Sequence, residues 1–225
     1  MNIIKEKNMG NLVVISGPSG AGKDSIIENL KKINKNFWVS ISMTTRAPRT
    51  KEVNGKDYFF VSKEEFEDNI KNDNFLEYAT YNGEYYGTPK SKILDKLQQG
   101  IDVILEIEIQ GTLKIKDILP ETLFIFILPP SMNELKKRLI NRKTDSKEKI
   151  ISRFKRAYQE INEVTKYNYV VINDEIEHAV NKVQAILLSE RCRVDRIEEV
   201  YLNNEEEEIH ELLVDKGLVN EERIF

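Results

Sequence analysis

Short apolar runs alternate with amphipathic stretches along most of the chain. LVVIS (12–16) is apolar throughout and leads into glycines, the pattern of a buried parallel strand. KDSIIENLKKI (23–33) places Ile26, Ile27, Leu30 and Ile33 at helical spacing. FWVSI (37–41) predicts a second strand. Further on, PKSKILDKLQQ (89–99) predicts a helix with Pro89 near its first turn. IDVILEIEI (101–109) predicts a strand, TLKIKDI (112–118) a short helix stopped before Pro120, and TLFIFIL (122–128) another strand. Ser131 and Glu134 form a capping pattern ahead of MNELKKRLINR (132–142). A helix near 146–166, the strand YVVIN (169–173) and a long helix from about 175 complete the alternation. Strands alternating with helices predict an α/β fold, a parallel sheet covered on both faces.

Residues 42–88 break that rhythm. They hold a basic loop with a proline (TTRAPR, 44–49), a strand candidate (YFFV, 58–61) and a helix opened by Ser62 and Glu65. FLEYATY (75–81) and EYYGT (84–88) follow, joined by Asn82-Gly83, a hairpin signal. This block reads as an inserted β-rich subdomain. RKTDSKE (142–148) is polar without apolar anchors and is expected to be mobile. The acidic tail after about residue 200 (NNEEEEIHELL) is expected to be a surface helix or partly disordered.

Composition narrows the function classes. The 225 residues suffice for one sizeable core with small insertions. Net charge is -4, which gives no bulk support to a nucleic-acid partner. No apolar run approaches the roughly 20 residues of a membrane span. The short apolar run at the N-terminus leads directly into the glycine loop and does not read as a secretory signal. Cys192 is the single cysteine, so no intrachain disulfide forms and a reducing, cytoplasmic setting is expected. Nothing in the patterning bears on oligomeric state.

The first candidate chemistry lies at SGPSGAGKDS (16–25). Gly17, Gly22 and Lys23 have phosphate-loop spacing between a predicted strand and helix. Glycines let the backbone take positive φ and turn its amides inward. The helix N-terminus adds partial positive charge, and Lys23 a full one. The usual pattern has Ser or Thr after the lysine; here Asp24 precedes Ser25. Asp24 could hold a cation through water. It could also simply sit in the first helical turn, where negative charge is favoured, and that reading is preferred.

A second anion site is suggested by Arg46 and Arg49 on one loop, with Tyr58, Tyr85 and Tyr86 as phenolic donors. The plain alternative is a solvated basic loop. Glu106 and Glu108, two apart on the predicted strand, would share one face at its carboxyl end, where open α/β sheets place ligands. His178, His210 and Cys192 have no evident nucleophile or base partner and read as structural or solvated.

GPSGAGK, SISMTTRAPR, EVNGKDYFFV, FLEYATYNGEYYGT, ILEIEIQG, FILPPS, LKKRLINR and VVINDEIE occur in the order found in guanylate kinases. The chain resembles that family over roughly residues 11–190. The resemblance implies transfer of a phosphoryl group from ATP to GMP with Mg²⁺. It also implies a phosphate-loop core of parallel strands flanked by helices, a GMP-binding subdomain and a mobile helical lid. On that basis the core spans 1–41, 89–137 and 157–190. The GMP-binding subdomain spans 42–88, the lid 138–156 and a C-terminal extension 191–225.

The resemblance also assigns roles by position. Gly17, Pro18, Ser19, Gly20, Ala21, Gly22, Lys23, Asp24 and Ser25, with Arg138, Arg142 and Asn173, would hold ATP. Arg46, Arg49, Tyr58 and Tyr86 would hold the GMP phosphate, and Ser42, Glu77 and Thr88 would read guanine. Glu106 would stand near Mg²⁺, with Asp24 contributing through water, and Glu108 near GMP. Lys23, Arg46, Arg142 and Arg153 would carry catalysis. Glu108 is one methylene longer than the aspartate common at that position. That difference opens one alternative, a monophosphate kinase of altered base preference; Asp24 after the loop lysine leaves open another, from a different class, a guanylate-kinase-like binding module without catalysis.

Overall fold

In the computed structural model, residues 4–6, 9–81, 83–141 and 147–200 are described. In chain order the elements begin β1 (Ile4–Glu6), β2 (Leu12–Ser16), α1 (Lys23–Ile33), β3 (Phe37–Val39), β4 (Met43–Thr44) and β5 (Phe59–Phe60). Next come α2 (Lys63–Lys71), β6 (Phe75–Tyr81), β7 (Glu84–Pro89), α3 (Lys90–Gln98), β8 (Asp102–Glu106) and α4 (Ile109–Ile118). The last are β9 (Leu123–Leu128), α5 (Met132–Asn141), α6 (Lys147–Ile161), β10 (Tyr169–Ile172), α7 (Ile176–Arg191) and β11 (Ile197–Val200). The chain divides into two units, Met9–Ala185 and a terminal unit of Met1–Asn8 with Ile186–Phe225.

Within the larger unit, the apolar runs pair as a five-stranded parallel sheet in the order β10-β9-β2-β8-β3. Val13, Val14, Ile15, Val103, Ile104, Leu105, Ile125, Phe126 and Ile127 are fully buried, as strands covered on both faces require. Each such side chain contributes roughly 1.5–3 kcal/mol of burial. The chain passes from β8 on one side of β2 to β9 on the other. The carboxyl end of β2 therefore lies at a topological switch point, where sheets of this kind bind ligands.

A second sheet of four strands, ordered β5-β4-β7-β6, occupies the block expected to be β-rich. Phe66 of α2 is fully buried and stacks on Phe75 at 4.5 Å and on Tyr85 at 5.2 Å. Ser62 caps α2, its hydroxyl accepting from Glu65 N at 3.1 Å. α5 and α6 pack through Leu135, Leu139 and Ala157. In the terminal unit, β1 pairs antiparallel with β11, Ile4 opposite Val200.

Several expectations are corrected. The strand predicted over 101–109 stops at Glu106, because the chain turns directly into α4 without glycine or proline to mark the bend. β4 lies within a stretch that reads as a loop; its pairing with Gly87 and Tyr86 of β7 creates it. β1 and β11 carry no alternation that predicts them. Residues 142–146 of the polar stretch and the acidic tail beyond 200 lie outside the described residues, while Lys147 and Glu148 open α6.

Candidate active site

The glycine loop leaves β2 and closes onto α1. Gly17, Gly20 and Gly22 take φ of 142°, 94° and 93°, a region open chiefly to glycine. Space enforces two of them as well. A Cβ at Gly17 would stand 2.3 Å from the Ile127 carbonyl oxygen, and one at Gly22 2.3 Å from Asn173 Nδ2. Gly22 caps α1, so the helix N-terminus opens on the loop. Lys23 Nζ donates to the Gly17 carbonyl at 2.8 Å. The Pro18 carbonyl accepts from Ala21 N at 3.0 Å.

Distant residues brace this loop. Asn173 Nδ2 donates to the Ala21 carbonyl at 2.7 Å, and Arg138 Nη1 reaches the same oxygen at 3.5 Å. Arg138 is held in turn by the Asn173 carbonyl at 3.1 Å and by Glu134 at 3.2 Å. Arg153 donates to the Ser19 hydroxyl. Ser25 is exposed in the first turn of α1. Arg142 lies outside the described residues.

Asp24 occupies the first turn of α1, and its carboxyl stands beside that of Glu106. Burial, and next the Asp24 carboxyl, push Glu106 up to about 8. Two carboxyls in contact must share a proton or a cation. Among the described residues no group of three or more His, Cys, Asp or Glu converges. Mg²⁺ takes one or two protein carboxylates and fills its remaining positions with water and phosphate oxygens, so Asp24 and Glu106 fit it.

Glu108 is not on the same strand face as Glu106. It caps α4, with φ -78° and ψ 164°. Its Oε2 accepts from Arg156 Nη2 at 2.7 Å. Burial raises the Glu108 carboxyl, and the Arg156 charge opposes that.

The four-stranded sheet supplies the other wall. Glu77 on β6 is only 8% exposed, so it is not a solvent-facing strand carboxylate. Thr88 on β7 donates to Glu77 Oε1 at 2.6 Å. Burial raises the Glu77 carboxyl, with Thr88 and Lys114 opposing. Gly111 of α4 makes room for it: a Cβ there would lie 2.7 Å from Glu77 Oε2.

Arg46 is not a solvated loop cation. Its Nη1 and Nη2 form a two-pronged pair with Glu52 at 2.8 and 3.0 Å. Its guanidinium lies 5.3 Å from the Tyr58 ring centre and 5.6 Å from that of Phe60. Glu52 also accepts from Arg49 N at 2.7 Å, while the Arg49 side chain stays exposed. Tyr58 meets Tyr86 edge-on at 6.0 Å, and burial pushes its phenol up to about 12. Tyr85, expected beside them, points to the opposite face of β7 and packs on Phe66, as strand alternation dictates.

A cleft of about 820 Å³ runs from Gly17, Ser19 and Lys23 past Glu106 and Glu108. A smaller cavity of about 200 Å³ holds Arg46, Glu77, Tyr86 and Gly111. Both share Ser19, Ser42, Arg49, Tyr58, Glu106, Glu108 and Arg153 as lining. Thr88 stands behind Glu77. His178 is exposed, 3.9 Å from Glu175, and Cys192 is exposed. His210 lies outside the described residues. Sequence reasoning missed Glu52, Gly111 and Arg156. The first two sit inside motifs already singled out, and Arg156 follows Arg153 by three, on the same helix face.

The family model described as guanylate kinase matches residues 9–190. The chain belongs to the guanylate kinase family. A guanylate kinase of Clostridium tetani is 57% identical over 206 residues, covering 92% of this chain and 99% of that one. One from Caldanaerobacter subterraneus is 56% identical over 203 residues, covering 90% and 98%. The crystal structure of guanylate kinase from Anaplasma phagocytophilum aligns with a TM-score of 0.71 at 31% identity, covering 96% of this chain and 99% of that one. Guanylate kinases are ATP:GMP phosphotransferases. Among the described residues, no helix is long and apolar enough to cross a membrane.

Proposed function

We propose that this chain transfers the γ-phosphoryl group of ATP to GMP, giving ADP and GDP. The glycine loop holds the donor, and the cavity of Arg46, Glu77 and Tyr86 holds the acceptor. One observation carries the assignment of the two pockets. A buried carboxylate, Glu77, shares a small cavity with a half-buried arginine, Arg46, and that cavity meets the cleft of the phosphate loop.

Guanine presents two donors, N1–H and N2–H₂, beside one acceptor. Glu77 accepts from both; adenine offers no such pair and would leave the buried carboxylate unsatisfied. Thr88 orients Glu77, and Ser42 lies within reach of the base. Arg46, Arg49, Tyr58 and Tyr86 receive the phosphate. Lys23 Nζ spends one proton on the Gly17 carbonyl and has two left for the β- and γ-phosphates.

The attacking atom is an oxygen of the GMP phosphate, already anionic near neutral pH. Transfer therefore requires alignment and neutralised charge rather than a general base. That suits a chain with two histidines, neither assigned to the site. Lys23, Arg46, Arg142 and Arg153 supply the charge, and Arg138 and Asn173 hold the loop toward the donor. Asp24 and Glu106 would hold Mg²⁺, which neutralises phosphate charge when bound. Glu108 stands at the wall between the two pockets. Residues 42–88 act as the GMP-binding subdomain and 138–156 as a lid that excludes water. A cytoplasmic setting is part of this reading, supported by a single cysteine that leaves no intrachain disulfide to form. The complete glycine loop with its lysine argues against a module that only binds.

Coupled ADP release with ATP and GMP, with and without Mg²⁺, tests the proposal. A panel of GMP, dGMP, IMP and AMP tests base choice. Rapid turnover of GMP and none of AMP is expected. No ADP with any acceptor overturns the assignment.

A further inference from the structure

α6 reaches the site at two points one turn apart. Arg153 donates to Ser19 of the glycine loop. Arg156, three residues on, donates to Glu108 Oε2 at 2.7 Å. Arg156 also has an anchor on its own helix: its Nε donates to Glu160 Oε1 at 2.8 Å, and the Glu160 side chain is only 15% exposed. The guanidinium is thus oriented before it meets Glu108.

Glu108 has no comparable local anchor. It caps α4 without a side-chain cap bond, and its backbone carbonyl alone accepts from Thr112, N–H at 2.9 Å and Oγ1 at 3.1 Å. Its side chain lines both the long cleft and the smaller cavity. Arg156 lines the cleft but not the smaller cavity, and Glu108, which it holds, lines both. An aspartate at 108 would withdraw the carboxylate by about 1.5 Å, one carbon–carbon bond, out of hydrogen-bond range of Arg156.

We propose that Arg156 is a positioning residue for the acceptor pocket: its ion pair fixes where the Glu108 carboxylate stands, and the length of glutamate at 108 makes that pair possible. The inference rests on GMP being the ligand of that pocket. Two physical effects follow. A glutamate already held in one rotamer loses less freedom when the acceptor binds. A paired carboxylate also repels an incoming phosphate less than a bare one.

The experiment is calorimetric GMP titration without ATP, on full-length protein, in two backgrounds. With Glu108 present, Arg156→Gln should weaken GMP by about three- to ten-fold, the scale of a partly exposed charge-assisted hydrogen bond. In a Glu108→Asp background the same Arg156→Gln change should shift GMP affinity by less than about twofold, because the coupling is already lost. Arg156→Lys should recover part of the loss. The Michaelis constant for ATP and the melting temperature should stay near wild type. The proposal fails if Arg156→Gln leaves GMP binding unchanged, or weakens it equally in both backgrounds. It also fails if ATP affinity and melting temperature fall in step with GMP affinity, since a merely structural tie behaves that way. Wild-type protein that does not bind GMP overturns the acceptor assignment and this inference with it.

Discussion

The two pockets are built from different materials. The donor cradle is nearly all backbone: three glycines at positive φ, a helix N-terminus and one lysine, within a contiguous stretch. The acceptor pocket is nearly all side chain. Arg46 follows β4, Glu77 is on β6, Tyr86 is on β7, and Gly111 comes from α4 of the parallel-sheet core, with Thr88 of β7 behind Glu77. A backbone cradle recognises phosphate whatever base is attached, because amides see only the anion. A side-chain pocket can read a base, because each polar atom is placed separately. On the proposed reading, both regions neutralise phosphate charge, and only the side-chain pocket discriminates the base.

The largest expected effect separates the two directly. Lys23→Ala should lower kcat by about 10²–10³-fold, the scale of a lost preorganised charge contact. GMP binding measured without ATP should survive. Equal loss of GMP binding would mean that the two pockets are not independent.

Glu77→Ala should act the other way round. It removes the acceptor for both guanine donors, so the Michaelis constant for GMP should rise by about 10²-fold with that for ATP little changed. Parallel increases in both constants would sink the guanine-reading role.

Gly111→Ala sharpens the same point from the core side. The added methyl would press on Glu77 Oε2, 2.7 Å away, and the end of a side chain can move where backbone cannot. Helix propensity favours alanine, so melting temperature should hold or rise slightly. GMP affinity should nonetheless fall by about tenfold, because the group displaced is the one that reads the base. A stable variant with unchanged GMP affinity would show that Glu77 need not stand where it does.

This difference in material also explains what was legible in the sequence. The donor loop was readable because its chemistry is local: spacing, strand and helix all lie between residues 12 and 33. The parallel sheet was readable for a similar reason, since strands buried on both faces are nearly pure apolar runs. The acceptor residues were named by resemblance, but their partners were not. Glu52 clasps Arg46, Gly111 yields space to Glu77 and Arg156 takes Glu108; each is a through-space relation that spacing does not encode. Glu108 was misplaced on a strand because an unbroken apolar–acidic alternation conceals a turn. Tyr85 was grouped with Tyr86 because adjacent aromatics look equivalent until a strand puts them on opposite faces.

The smallest effect concerns how Glu77 is kept ready. Thr88→Val preserves shape and removes the hydroxyl that donates to Glu77 Oε1 at 2.6 Å. A single donor to a buried carboxylate should be worth about three- to five-fold in GMP affinity. The pH dependence gives the sign. Burial raises the Glu77 carboxyl and Thr88 opposes the rise, so losing Thr88 must raise it further. On the proposed reading, guanine binds the ionised form. The variant should therefore lag wild type most under acidic conditions, where its carboxyl has taken up a proton and the wild-type one has not. The gap should narrow as pH increases and both become ionised. A penalty that is constant with pH would mean that Thr88 only fixes the rotamer of Glu77. A penalty that grows with pH would mean that the protonated carboxyl is the form that meets the base.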